Sequence, residues 1–235
     1  LPTVLITGAS RGIGEAAAKK FANAGWDLLL ASRNSDSLKS LSQELRSTGR
    51  SIATKSIDFS NPESISPSLA VLLQKGDAPS VLINNAGVAW TGDLLQMSLN
   101  HWQWMLQVNL TSVFQICAEV VPVMRDKGGL VINVSSHAAR NSFPQWGGYC
   151  VSKAALESFT RCLAEEERSN GIRASTLTLG SVNTTLWDQE TVNSDFDRHA
   201  MLSSDQAAST LLYMAEQPSS QLIEDLTLMP AKGAF

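Results

Sequence analysis

Short, almost unbroken apolar runs recur along this chain, separated by longer stretches of helical period, and that alternation restricts the possible folds more than any other feature. Val81-Leu82-Ile83 and Leu130-Val131-Ile132 show none of the in-and-out alternation of a strand with one wet face. A strand reads this way when helices cover both of its faces, as in parallel sheets with helical crossovers. Strands are expected at Thr3–Thr7, Asp27–Ala31, Ser51–Ile57, Ser80–Asn84, Leu130–Val134, Ile172–Leu179 and Leu226–Leu228. Helices are expected at Ile13–Ala24, Asp36–Thr48, Pro62–Gln74, Asn100–Lys127, Gln145–Asn170 and Asp205–Glu216. The fold class is therefore α/β, a doubly wound parallel sheet of seven strands with helices on both faces. Pro122 is expected to bend or restart the long fourth helix. Residues 180–204 lose any clean period and read as a partly helical, mobile lid over a substrate. With no repeat or linker, residues 1–235 read as one domain.

Composition narrows the function classes. A 235-residue chain that is 43% apolar can build one substantial core. Its formal net charge is −4 and no Lys/Arg-rich run occurs, so the footprint of a nucleic-acid binder is missing. Cys117, Cys150 and Cys162 form an odd set without a C-x-x-C pair, which points to free thiols in a reducing compartment, the cytoplasm by default. No apolar run approaches the roughly 20 residues that span a bilayer. Leu1-Pro2 leads straight into a strand, so neither signal peptide nor anchor is expected, and the missing initiator Met points to a trimmed chain.

Chemistry enters at two places. Thr7-Gly8-Ala9-Ser10-Arg11-Gly12-Ile13-Gly14 lies between the first strand and the first helix. There, missing Cβ atoms let the backbone approach a pyrophosphate, and helix N–H groups meet its charge. The second strand ends Ala31-Ser32-Arg33, with no carboxylate to bind a ribose 2′-hydroxyl and repel a 2′-phosphate. Arg33 and Arg11 can present guanidinium forks to such a phosphate, so NADP(H) is favoured over NAD(H). Further along, Tyr149 and Lys153 are four apart on an expected helix, which stacks both on one face. A free phenol ionises near about pH 10, and bringing it to 7 takes roughly 4 kcal/mol. An adjacent ammonium and a positively charged nicotinamide are expected to supply it.

Thr-Gly-x-x-x-Gly-x-Gly, Asn84-Asn85-Ala86-Gly87, the Ser136/Tyr149/Lys153 set and Gly180-x-Val182-x-Thr184 follow in one order across nearly the whole chain. In order and spacing this resembles the short-chain dehydrogenase/reductase family. The resemblance implies a single Rossmann domain, with Gly8, Ser10, Arg11, Gly12, Ile13, Gly14, Ser32 and Arg33 around the cofactor's phosphates. It implies that Asp58 accepts from the adenine amino group and that Asn85, Ala86 and Gly87 flank the adenosine side. Gly180, Val182 and Thr184 would line the nicotinamide, Thr184 bonding its carboxamide. Ser136 would hold the carbonyl oxygen, Tyr149 would serve as general acid, and Lys153 would tune Tyr149 and hold the nicotinamide ribose. Asn109, twenty-seven residues before Ser136, would support a water that reprotonates Lys153. Plainer roles exist for each residue alone: a strand-end cap for Ser136, a satisfied helix polar group for Asn109, a core aromatic for Tyr149.

Substrate should sit beyond the carboxyl ends of the strands, against Trp90, His137, Phe143, Trp146, Leu186 and Trp187. Their rings suggest an apolar or aromatic carbonyl compound. The leading expectation is NADPH-dependent reduction of a ketone, aldehyde or 3-oxoacyl group. The alternatives are an NAD-linked alcohol dehydrogenase and a non-catalytic NADP-sensing protein. No metal site, nucleic acid or membrane partner is expected. The two long helices resemble the pair through which family members dimerise, implying a homodimer. The ending from Leu228 to Phe235 departs from the glycine-rich tail of the family's tetrameric reductases, which puts a tetramer in doubt.

Overall fold

The computed structural model describes residues 1–233; Ala234 and Phe235, the end of the tail noted above, lie outside the described residues. The elements run β1 (Thr3–Thr7), α1 (Gly12–Asn23), β2 (Asp27–Ser32), α2 (Ser35–Leu45), β3 (Ile52–Ser56), α3 (Pro62–Leu73), β4 (Val81–Asn84) and α4 (Leu99–Leu106). They continue with α5 (Ser112–Met124), β5 (Gly129–Ser136), α6 (Gly147–Glu167), β6 (Ile172–Leu179), β7 (Val182–Asn183), β8 (Leu202–Ser203), α7 (Ser204–Ala215) and β9 (Asp225–Leu228). Seven strands form one sheet in the order β3-β2-β1-β4-β5-β6-β9. Every pairing is parallel, as the unbroken apolar runs require.

Two apolar layers enclose the sheet. On one face Ala17, Ala18 and Phe21 of α1, Leu38 and Leu41 of α2 and Leu211 of α7 pack against Val4, Ile6, Leu28 and Leu30. On the other, Ile65 and Leu69 of α3, Ile116 and Val120 of α5 and Leu156 of α6 meet Leu5, Leu29, Leu82 and Val131. Strand order reverses between β1 and β4, so their connections leave to opposite faces. A crevice opens at the carboxyl ends of these two strands.

Three expectations change in detail. The long helix is not ended by Pro122, which lies inside α5; its irregularity is a π turn at Gln107–Thr111. Pro122 leaves the Ala118 carbonyl without its helical N–H partner, yet α5 runs on to Met124. Together Leu99–Met124 form 26 helical residues, long and apolar enough by composition to cross a membrane, although nearly half of the most apolar window is buried in this fold. The lid contains more regular structure than its pattern suggests. A parallel ribbon pairs Val182 with Leu202 and Asn183 with Ser203, flanking 3-10 turns at Thr185–Asp188 and Arg198–Ala200.

Candidate active site

A cleft of about 580 Å3 runs along the carboxyl ends of the central strands, from Arg33 and Asp58 at one end to Tyr149 and Trp187 at the other. Its floor is the turn after β1. Gly8 and Gly12 have φ of +67° and +56°, in the left-handed region that an L side chain resists. A Cβ on Gly8 would meet Ala86 Cα at 2.9 Å, and one on Gly12 would meet the Thr184 side chain at 3.3 Å across the cleft. Gly14 is different: it does not line the cleft. A Cβ there would lie 2.3 Å from the Gly8 carbonyl oxygen, so this glycine lets α1 close on the turn. The N-cap of α1 is Arg11, and no side chain caps the helix, leaving its first N–H groups to the cleft.

At the β2 end, the buried Ser32 hydroxyl donates to Ser10 Oγ at 2.5 Å. Arg11 and Arg33 are exposed cleft residues, and neither forms an ion pair among the described residues. Asp58 also faces the cleft, its carboxylate accepting from Ser60 N–H at 3.0 Å and Ser60 Oγ at 2.7 Å. The N-cap of α3 falls to Asn61, which leaves Asp58 outside that task. Asn85 straps β4 to β1, donating to the carbonyls of Thr7 and Gly8 at 3.1 and 3.4 Å, while Thr7 Oγ1 accepts from the N–H groups of Asn85 and Ala86.

The reactive end is built from β5 and α6. Ser136 closes β5, accepting from Ala138 N–H at 3.2 Å, and its hydroxyl stands near enough to the Tyr149 phenol to favour the phenolate. Tyr149 sits in the first turn of α6, whose start packs tightly: a Cβ on Gly148 would lie 2.8 Å from Met97 Sδ. Lys153, one turn on, is 5% exposed and donates to the Val134 carbonyl at 2.9 Å, with its ammonium 5.8 Å from the Tyr149 ring centroid. In the protein alone this pair does not produce the acidic phenol that the spacing predicts. Burial pushes Tyr149 up to about 12, only partly offset by the neighbouring Ser136 hydroxyl, and burial lowers Lys153 to about 8. Loss of water outweighs the mutual effect of two groups that make no direct bond.

Asn109 lies in the π turn, fully buried and behind the cleft rather than on it. Its Oδ1 accepts from Val88 N–H at 2.9 Å, and its Nδ2 donates to Val88 O at 2.9 Å and Ser152 Oγ at 3.0 Å. Between it and the ammonium stands Gly87, where a Cβ would come within 3.5 Å of Asn109 Oδ1 and 3.7 Å of Lys153 Nζ. That glycine keeps open the space a water would need.

Of the expected substrate residues, His137, Phe143, Trp146, Leu186 and Trp187 line the cleft and Trp90 does not. Trp90 folds back over Gly92, where a Cβ would clash with its ring at 2.4 Å, and it lies 5.8 Å from the His101 ring. Only at a side-chain-free residue with φ of +154° can the chain turn this ring away. Phe196 and Trp104 line the cleft without having been singled out as contacts. No periodicity marks Phe196, which a long lid segment brings back onto Trp146. Among the described residues no group of three or more His, Cys, Asp or Glu gathers as a metal site.

Known proteins share this fold. An alcohol dehydrogenase from the archaeon Thermococcus sibiricus, solved with 5-hydroxy-NADP, superposes with a TM-score of 0.90 at 27% identity, covering 98% of this chain and 97% of that one. A metagenomic short-chain oxidoreductase solved with NADP gives 0.83 at 29% identity over the same shares. In sequence, a serine 3-dehydrogenase of Rhizobium radiobacter is 32% identical over 242 aligned positions, 99% of this chain and 95% of the relative. The profile described as short chain dehydrogenase matches residues 2–195. A parallel sheet that reverses order at a glycine-lined crevice and a match over most of the length together place the chain in the short-chain dehydrogenase family of oxidoreductases.

Proposed function

We propose that this protein is an NADPH-dependent reductase of ketones, aldehydes or 3-oxoacyl groups, working in the cytoplasm as a homodimer. One observation carries the reading: Ser136, Tyr149 and Lys153 converge at one end of a cleft whose other end offers two guanidiniums without an ion pair among the described residues and no carboxylate where β2 ends at Ser32. The residues fit a phosphorylated dinucleotide. The uncapped start of α1 and the glycine turn suit a pyrophosphate, and Arg11, Arg33 and Ser32 suit a 2′-phosphate. Solved relatives 27% and 29% identical hold 5-hydroxy-NADP and NADP, which supports the same choice.

When bound, the nicotinamide supplies a hydride to the carbonyl carbon. Ser136 Oγ donates to the carbonyl oxygen and holds it beside the phenol. Tyr149 gives its proton to that oxygen as the alcohol forms, and its phenolate is stabilised by the Lys153 ammonium. Burial that keeps the phenol protonated in the free protein preserves the acid until substrate arrives. The phenolate is then reprotonated at the expense of the Lys153 ammonium, and Lys153 takes a proton from solvent on the side of Gly87 and Asn109. Free cysteines at positions 117, 150 and 162 support a reducing compartment.

Decay of NADPH absorbance against a panel of carbonyl compounds tests the reading. Tyr149→Phe should abolish turnover, by about 10³-fold or more, while leaving the Kd for NADPH within roughly twofold, since the phenol oxygen makes no phosphate contact. Binding of NADPH without oxidation by any carbonyl would instead indicate a sensing protein.

A further inference from the structure

The rings at the reactive end of the cleft form one continuous set. Trp146 stacks on Phe196 with planes 10° apart and centroids at 6.4 Å, and meets Trp187 and Tyr149 edge-on, each at 5.6 Å. Trp187 in turn meets Phe196 edge-on at 5.5 Å. The aromatic wall therefore begins at the proton donor itself and continues into the lid without a polar break. Trp187 spends its one donor inside the lid, on the Val182 carbonyl at 2.8 Å, so that it offers the cleft only apolar surface.

Charge is distributed in the opposite sense. Arg11, Arg33 and Asp58 all stand at the β2 and β3 end of the cleft. Lys153 is committed to the Val134 carbonyl beside Tyr149. The nearest lid cation, Arg198, is outside the cleft lining and fully engaged: Nε on Asn183 Oδ1 at 2.8 Å, Nη1 on Asp188 Oδ1 at 2.9 Å and Nη2 on Thr184 O at 3.0 Å. His137 is the remaining titratable side chain on the substrate wall among the described residues, and the Asn141 amide lies against its ring nitrogen at 2.9 Å. A carboxylate brought to the Tyr149 end would lose its water and meet, among the described residues, no cation but the Lys153 ammonium, which is buried against the Val134 carbonyl behind the phenol, an unfavourable exchange.

We infer that the substrate is an uncharged carbonyl compound bearing a flat apolar group, an aryl ketone in its simplest form, and that Trp187 and Phe196 select it while the same wall rejects amino and hydroxy acids. This rests on the reductase reading above, and it sets the chain apart from the serine 3-dehydrogenase to which it is 32% identical. The reaction balances as reduction of the C=O bond: the carbon takes two electrons with the hydride of NADPH, the oxygen takes the Tyr149 proton, and alcohol and NADP+ leave.

Binding and turnover are read separately. Acetophenone titrated into protein saturated with NADP+ cannot react, and should quench tryptophan fluorescence and give a calorimetric Kd. Phe196→Ala and Trp187→Ala should each weaken that Kd roughly ten- to hundredfold, the loss of one ring contact, with Phe196→Leu intermediate. NADP+ affinity should hold in all three variants, which shows that they are folded. In turnover with NADP+, 1-phenylethanol should exceed L-serine at least about a hundredfold in kcat/KM. The inference is overturned if L-serine equals or exceeds 1-phenylethanol, or if acetophenone binding is indifferent to both rings. Ring-dependent acetophenone binding with no turnover of any alcohol or carbonyl would uphold the pocket and defeat the reductase reading.

Discussion

At the scale of single residues, the proposed reaction makes a buried lysine its pH-sensitive group. Lys153 is lowered to about 8 because burial disfavours its charged form. The ammonium is complete below that pH and is lost as pH rises through it. The kcat/KM for carbonyl reduction, which reports the free enzyme, should thus fall above about pH 8, by roughly tenfold per pH unit. A pH profile measured at subsaturating substrate checks this; a flat profile to pH 10 would remove the ammonium from the mechanism. The four-residue spacing made this pair legible, since helical geometry alone sets two side chains on one face. It could not reveal that burial would dominate both groups, because burial depends on chain segments distant in sequence. Arg33 is a simpler case, exposed, without an ion pair among the described residues and set on the cleft rim. Arg33→Ala should weaken NADPH binding by about 1.5–3 kcal/mol, the range for a charged hydrogen bond, and hardly change NADH binding. Titrations with both dinucleotides decide it, and equal losses would refute a 2′-phosphate contact.

Between elements, one buried carboxylate ties the reactive turn to the sheet. Glu157, on α6 one turn beyond Lys153, accepts from Ser135 Oγ at 3.1 Å, Thr178 Oγ1 at 3.2 Å and Arg140 Nε at 3.0 Å. Arg140 follows the turn that Ser136 begins and also pairs with Asp225 of β9. The cluster thus joins β5, α6, β6 and β9 just behind Ser136. Removing Arg140 strands a buried carboxylate, but the guanidinium is 42% exposed, so water already screens part of the attraction. Arg140→Ala should then cost about 2 kcal/mol rather than the larger figure for a fully buried pair. A lower denaturant midpoint with unchanged slope is the expected signature. None of this network was legible in sequence, where Glu157 reads as one more polar residue on a long helix. Nor was the π turn at Gln107–Thr111, since one extra residue in a helical turn leaves the apolar period on either side intact. The central strands were legible for the opposite reason: their apolar runs announce burial on both faces, as the edge strands β3 and β9 do not, and β1, β2 and β6 begin at the residues expected of them.

At the scale of the whole molecule, the helices on the outer face of the sheet leave apolar surface that a single copy does not cover. Phe114 on α5 and Val151 on α6 are 58% and 43% exposed. Along α6 the exposed positions after Val151 include the small residues Ala154, Ser158 and Cys162 at helical spacing, with Arg161 beside them and Glu165 and Glu166 beyond. Such a face lets another helix approach closely, as a two-fold contact between identical α6 helices requires. Its inner side is committed to the core through Leu156, so dimerisation need not disturb the sheet. The same helix carries Tyr149 and Lys153, which places the proposed interface directly behind the reaction. Sedimentation should therefore give about twice the 25.3 kDa chain mass at micromolar concentration. Ser158→Arg, which forces a cation against its own symmetry copy, should shift the population to monomer and lower kcat by loosening the start of α6. A single-chain mass for the unaltered protein would refute the dimer. A dimer that survives Ser158→Arg would move the contact to another face and free α6 from any role in assembly.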